Sequence, residues 1–155
     1  LHAPGQAAAT PADGTARPFS GLRVLVADDN RDAAESMGEW LSAFGAETIV
    51  VHDGHAALTM AQMHLPHVAL LDLGMPELSG LEVAQRLRAV PGAADMRLIA
   101  ITGWGQARDR AGTEAAGFDH HMTKPPDIAL LRSLLQEAHR ELAAPVVATD
   151  AAQDG

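Results

Sequence analysis

The stretch Val68-Ala-Leu-Leu-Asp72-Leu-Gly-Met-Pro76 narrows the possible folds of this chain more than any other. Four apolar residues run straight into a carboxylate, and the chain then turns at Gly74 and Pro76. An unbroken apolar run fits a strand covered on both faces, as in a parallel sheet. Such a strand ends at the carboxyl edge of the sheet, where open α/β folds hold their ligands. Asp72 is thereby expected on a rigid support at the point where the core meets water.

The other segments support that reading. Leu22 to Ala27 is apolar and β-branched and ends in Asp28-Asp29-Asn30. Asn30 suits an N-cap, and Ala34, Met37, Leu41 and Phe44 follow at helical spacing until Gly45. A strand is expected over Glu47–Val51, with no catalytic group at its end comparable to the others, as befits a strand at the sheet border. Asp53-Gly54 reads as a turn and His55 to His64 as a helix, with Leu58, Met60 and Ala61 inward. Met37, Met60 and Met63 read as core filling. Ser79 suits a cap for a helix from Gly80 to Val90, carried by Leu81, Val83, Ala84 and Leu87. Arg97 to Thr102 is a further doubly covered strand that finishes in a hydroxyl. Gly103 and Gly105 flank Trp104, which reads as a cover for the sheet edge or the site. An Ala-rich helix is expected from about Gln106 to Ala116. Phe118 to Thr123 forms a short fifth strand that leads into Lys124-Pro125-Pro126. Asp127 caps a last helix with Leu131, Leu134, Leu135, Ala138 and Leu142 inward, which Pro145 is expected to stop, leaving Val146 to Gly155 frayed.

Strands alternating with helices imply a parallel sheet with right-handed crossovers and helices on both faces. Four of the five strands then deliver polar groups to one edge: Asp28-Asp29, Asp72, Thr102 and Lys124. Convergent carboxylates repel, by about 4 kcal/mol for unit charges about 4 Å apart at an effective dielectric of about 20. A hard dication offsets this, and an all-oxygen set with room for waters favours Mg²⁺, with Mn²⁺ as a substitute. A carboxylate is itself a nucleophile in aspartyl-phosphate chemistry. A dication, a lysine and a hydroxyl together neutralise a phosphoryl group during and after transfer. His52, His55, His64 and His67 fall on turns and helix ends and do not read as a metal site.

Composition bounds the rest. The 155 residues carry a formal net charge of −9 and no cysteine. That excludes disulfides and thiolate sites and fits a reducing cytosol. It argues against direct nucleic-acid binding, which needs clustered Lys and Arg. No apolar run is long enough to cross a bilayer, so no membrane contact is expected of this domain. Residues 1–20 read as a flexible Ala/Pro/Gly linker, 21–143 as one domain and 144–155 as a disordered tail. A chain that begins with Leu reads as part of a longer protein.

Asp28-Asp29, Asp72-Leu-Gly-Met-Pro76, Ser79-Gly80, Thr102-Gly103 and Lys124-Pro125, in this order and spacing, resemble the receiver domains of two-component response regulators. The resemblance covers Leu22 to about Leu142. It implies a flavodoxin-like (βα)5 fold with sheet order 2-1-3-4-5. It implies that Asp72 is the phosphoacceptor and that Asp28, Asp29, Asp72 and the Gly74 carbonyl hold the metal. The Gly74 and Gly103 N–H groups would contact the phosphoryl group, Thr102 would be the switch hydroxyl, and Lys124 would pair with a phosphoryl oxygen across a cis Lys124-Pro125 bond. The switch aromatic, usually Tyr or Phe, is His121 here. Implied partners are a histidine kinase or a histidine phosphotransfer domain. With a linker in front and a short tail behind, the chain most resembles the C-terminal receiver of a hybrid histidine kinase, and next a free-standing regulator. A Mg²⁺-dependent aspartyl phosphohydrolase is the rival from another class. Such enzymes usually carry a second Asp two residues after the nucleophile, where this chain has Gly74. A pseudo-receiver used only for protein binding is the second rival.

Overall fold

The structure is a computed structural model that describes residues 18–93, 95–103 and 110–154. Among the described residues, five strands alternate with five helices: β1 (Arg23–Ala27), α1 (Arg31–Ala43), β2 (Glu47–Val51), α2 (Gly54–His64), β3 (Val68–Asp72), α3 (Gly80–Arg88), β4 (Arg97–Thr102), α4 (Arg110–Ala116), β5 (His120–Thr123) and α5 (Ile128–Asp154). The strands form one parallel sheet in the order β2-β1-β3-β4-β5. All five residues of β3 are buried, as a strand with helices over both faces requires. β2 lies at the border, and its first four residues are exposed or half-buried.

The alternation of side chains along each strand splits the core into two layers. On one face Leu25, Ala27, Ala69, Leu71, Leu98 and Ala100 pack with Ala57, Ala61, Val83 and Leu87 of α2 and α3. On the other, Val24, Val26, Leu70, Ile99 and Ile101 pack with Ala34, Leu41, Leu131 and Leu135 of α1 and α5. The helices start on the expected caps. Asn30 accepts from Ala33 N–H, Asp53 from Ala56 N–H and Asp127 from Leu130 N–H. Ser79 and Glu82 form a reciprocal capping box at α3.

Four expectations change. Gly54 is the first residue of α2 rather than part of a turn, because Asp53 is already the cap. Met63 is 66% exposed, two residues beyond buried Ala61 and so on the far side of α2 from the core. The last helix runs through Pro145 to Asp154 instead of stopping. A helical proline forfeits one backbone hydrogen bond, at about 3 kcal/mol, and only the alanines before it, Ala143 and Ala144, are strong helix formers, since Val146 and Val147 follow. The domain also begins earlier than residue 21. Phe19 is fully buried, its N–H donates to the Phe44 carbonyl at 3.0 Å, and it meets Trp40 and Phe44 edge to face. Arg132 of α5 covers the Phe44 ring at 5.1 Å. A lone aromatic between proline and serine carries no periodicity, so only packing reveals it as core. Phe19→Ala is expected to cost about 3 kcal/mol, the usual loss for a fully buried ring, read as a lower denaturation midpoint at unchanged slope. The expected linker before residue 18 and the Trp104-Gly105-Gln106 segment lie outside the described residues.

Candidate functional site

Parallel strands bring Asp28, Asp29, Asp72, Thr102 and Lys124 to one edge, where strand order reverses between β1 and β3. One carboxylate oxygen from each of Asp28, Asp29 and Asp72 lies within 4.8 Å of the others. Asp28 and Asp72 are buried, and Asp29 is exposed. Lys124 Nζ reaches between the two buried acids, at 2.9 Å from Asp28 Oδ2 and 3.5 Å from Asp72 Oδ2. The Lys124–Pro125 peptide that precedes α5 is cis.

Each buried carboxylate is held by local backbone. Asn30 N–H donates to Asp28 Oδ1 at 2.9 Å, and Gly74 N–H donates to Asp72 Oδ1 at 3.0 Å. These are two-residue turns, in which an Asp side chain replaces a backbone acceptor. Gly80 explains the tight return of the chain after Asp72. A Cβ at Gly80 would stand 2.7 Å from the Asp72 carbonyl oxygen, so only glycine lets the start of α3 press against the end of β3.

One lysine does not balance three acids. Burial pushes the Asp72 carboxyl up, to about 6; the Gly74 hydrogen bond and Lys124 oppose this, while Asp28 adds to it. For Lys124, burial works to lower the ammonium pKa, but the Asp28 hydrogen bond and the charges of Asp72 and Asp28 outweigh it and hold it above its ordinary value. The residual excess of negative charge, presented by oxygens alone with one open side at Asp29, is what a hard dication fits.

Asp72 pairs with Ile101 across the sheet, so Thr102 stands one position beyond it. Thr102 is fully buried, and its hydroxyl lies 3.3 Å from His121 Nε2 on β5. The other ring nitrogen of His121 lies 3.3 Å from the hydroxyl of buried Thr113 on α4. The ring therefore ties the site hydroxyl to α4, which no spacing in the sequence reveals. Beside the acids opens a groove of about 480 Å³, whose apolar wall includes Ala33 and Met37 of α1 and Pro125 and Pro126.

His52 also stands beside the acids, unannounced by its sequence neighbours. Its Nδ1 lies 3.2 Å from the Asp28 carbonyl oxygen, so the border strand does supply a group to the site. Histidine at a strand end carries no signal of its own; only the parallel register places it beside Asp28.

The acid cluster, lysine and hydroxyl at the switch point place the chain among the doubly wound α/β proteins that bind at the carboxyl edge of the sheet. Residues 24–136 match the family model described as response regulator receiver domain, and the chain belongs to that family. It is 32% identical over 116 residues to an uncharacterised 14.6 kDa protein of Leptolyngbya boryana, covering 75% of this chain and 88% of that protein. It is 35% identical over 147 residues to the virulence sensor protein BvgS of Bordetella pertussis, covering 89% of this chain but only 12% of BvgS. Among solved structures it resembles the receiver domain of sensor histidine kinase PA1611 from Pseudomonas aeruginosa. The TM-score is 0.70 at 26% identity, over 77% of this chain and 98% of that one. That structure carries a magnesium ion coordinated in its active-site cleft. Among the described residues, no helix is long and apolar enough to cross a membrane.

Proposed function

We propose that Asp72 accepts a phosphoryl group from a phosphohistidine of a histidine kinase or histidine phosphotransfer domain, and that this changes a protein-binding face. The carrying observation is the Asp28–Lys124–Asp72 arrangement beside a third open carboxylate. A carboxylate oxygen of Asp72 attacks phosphorus, the P–N bond breaks, and its electron pair leaves with the imidazole. Lys124 already sits 3.5 Å from Asp72 Oδ2 and can follow the transferred group. Mg²⁺, or Mn²⁺ in its place, would be held by Asp28, Asp29, Asp72 and the Gly74 carbonyl, and supplies charge neutralisation at the crowded acids. The N–H groups of Gly74 and Gly103 are the backbone donors for the phosphoryl oxygens. The apolar groove formed with Met37 and Pro126 suits a docked helix that brings its histidine to Asp72. Slow hydrolysis of the acyl phosphate returns the domain to its start, so it acts as an acceptor rather than a turnover enzyme.

In this reading the chain is the C-terminal receiver of a hybrid sensor kinase, on the cytoplasmic side, and its likeness to the receiver domain of sensor histidine kinase PA1611 and to the sensor protein BvgS favours that context. The small Leptolyngbya protein, of which the chain spans 88%, favours the second context, a free-standing regulator. Both use the same chemistry, and neither requires nucleic-acid contact by this domain. Incubation with acetyl phosphate and Mg²⁺ tests the reading: a persistent mass gain of one phosphoryl group is expected. Continuous release of phosphate would indicate the hydrolase, and no gain the pseudo-receiver.

Thr102 and His121 are the switch pair in this reading. A phosphoryl group that draws the Thr102 hydroxyl toward itself takes it from His121, and the loss is felt at Thr113 on α4. His121→Phe keeps a flat ring but removes both hydrogen bonds. It is expected to leave phosphoryl uptake within about 2-fold while weakening the response of partner binding to phosphorylation by about 5-fold, or roughly 1 kcal/mol of coupling. Equal response in both proteins, measured by titration of the phosphorylated and unmodified forms, would count against it.

A further inference from the structure

The three acids of the site are not equally held. Asp28 is fixed by Asn30 N–H and Lys124, and Asp72 by Gly74 N–H and Lys124. Among the described residues, no group hydrogen-bonds the Asp29 carboxylate, although its oxygen completes the cluster. Within that set, Asp29 is aimed by its backbone alone. The peptide joining Asp28 to Asp29 is planar, so whatever fixes the Asp28 carbonyl also fixes the plane from which Asp29 departs.

That carbonyl lies where the β1–β2 ladder ends. Asp28 N–H still donates to Val51 O at 3.2 Å, one rung past the last residue of β1. In a parallel ladder the next rung would come from the N–H of Asp53 to Asp28 O. Asp53 instead turns away to cap α2. The imidazole of the intervening residue, His52, occupies the position of the lost rung, with Nδ1 at 3.2 Å from Asp28 O. A carbonyl only accepts, so Nδ1 carries the proton.

Resting on the reading of the acids as a Mg²⁺ site, we infer that His52 is a positioning residue for that site. Its Nδ1–H locks the Asp28–Asp29 peptide and so aims the one carboxylate of the cluster that no other described residue holds. The partners that orient metal ligands typically change affinity by about 10–100-fold when lost.

The test compares Mg²⁺ uptake by the unphosphorylated wild-type protein, His52→Leu and His52→Asn, using isothermal titration with MgCl2. Leucine removes the donor at similar bulk. Asparagine places an amide N–H the same number of bonds from Cα as Nδ1. The expected result is a weakening of about 10-fold for leucine and recovery to within about 3-fold of wild type for asparagine. Leucine within 2-fold of wild type would overturn the inference, and so would equal losses in both variants, which would mean that ring packing and not the donor matters. Wild type that takes up no Mg²⁺ would overturn the metal-site reading itself, a separable failure. Should leucine not fold, long-range ¹H–¹⁵N spectra of wild-type His52 decide alone: a proton on Nδ1 is expected, and a bare Nδ1 would overturn the inference.

Discussion

Asp72→Asn is expected to abolish phosphoryl uptake from acetyl phosphate and at the same time to stabilise the metal-free domain. Loss of uptake follows from replacing a nucleophilic oxyanion by a neutral amide. The stabilisation follows from the charge the fold carries at that position. The Asp72 carboxyl rises from 3.8 to about 6 on folding, chiefly by burial. A raised folded pKa means that the native state binds the proton more tightly than the unfolded chain does. The associated stability is complete below about pH 3.8 and is lost as pH rises through about 6. Near pH 7.5 the ionised side chain therefore costs the fold on the order of 3 kcal/mol, at 1.36 kcal/mol per unit. Asparagine keeps the shape and removes that cost. Urea unfolding in EDTA at about pH 7.5 should give a higher midpoint for Asp72→Asn, and the advantage should vanish near pH 4. Mg²⁺ should narrow the gap by stabilising the wild type more than the variant, because a ligand that binds only the native state adds to its stability. A variant less stable than wild type in EDTA would mean that Asp72 is not an electrostatic liability of this fold.

Gly54→Ala is expected to destabilise the domain strongly for a change of one methyl group. A Cβ there would lie 1.9 Å from the Leu78 carbonyl oxygen and 2.8 Å from both the Leu78 carbonyl carbon and its Cβ. The obstacle is mostly backbone, so it cannot swing aside as a flexible side chain could. Alanine gains about 1 kcal/mol of helix propensity over glycine, but overpacking of this kind costs about 3 kcal/mol or more. A net loss of about 2–4 kcal/mol, or roughly 10 °C in Tm, should appear in thermal unfolding. The same substitution should weaken Mg²⁺ uptake, since Leu78 belongs to the loop that runs from Asp72 to the cap of α3 at Ser79. A Tm within 2 °C of wild type would show that the α2 entry and this loop are not in contact as described.

Most of the fold was legible in the chain because its signals are local. Val68 to Leu71 and Leu98 to Ile101 are unbroken apolar runs that only a doubly covered strand can bury. Asn30, Ser79 and Asp127 announce helix starts by hydrogen bonds within three residues. Once the strands are known to be parallel, Asp28, Asp29, Asp72, Thr102 and Lys124 must share an edge, whatever the side-chain details. Pro145 was misleading for the opposite reason: its local cost is real, yet the helix continues across it.

What the tertiary structure alone decided are the relations between groups far apart in sequence. Phe19 counts as core only because α1 ends in Phe44 beside Trp40. Gly54 is obligatory only because Leu78 approaches it, and Asp72 is strained electrostatically only because packing removes its water. His52 reaches Asp28 across 24 positions because a ladder fails one rung early. Periodicity and capping act over a few bonds and are written in neighbouring residues. Burial and close approach depend on which surfaces the sheet brings face to face, and no stretch of chain encodes them by itself.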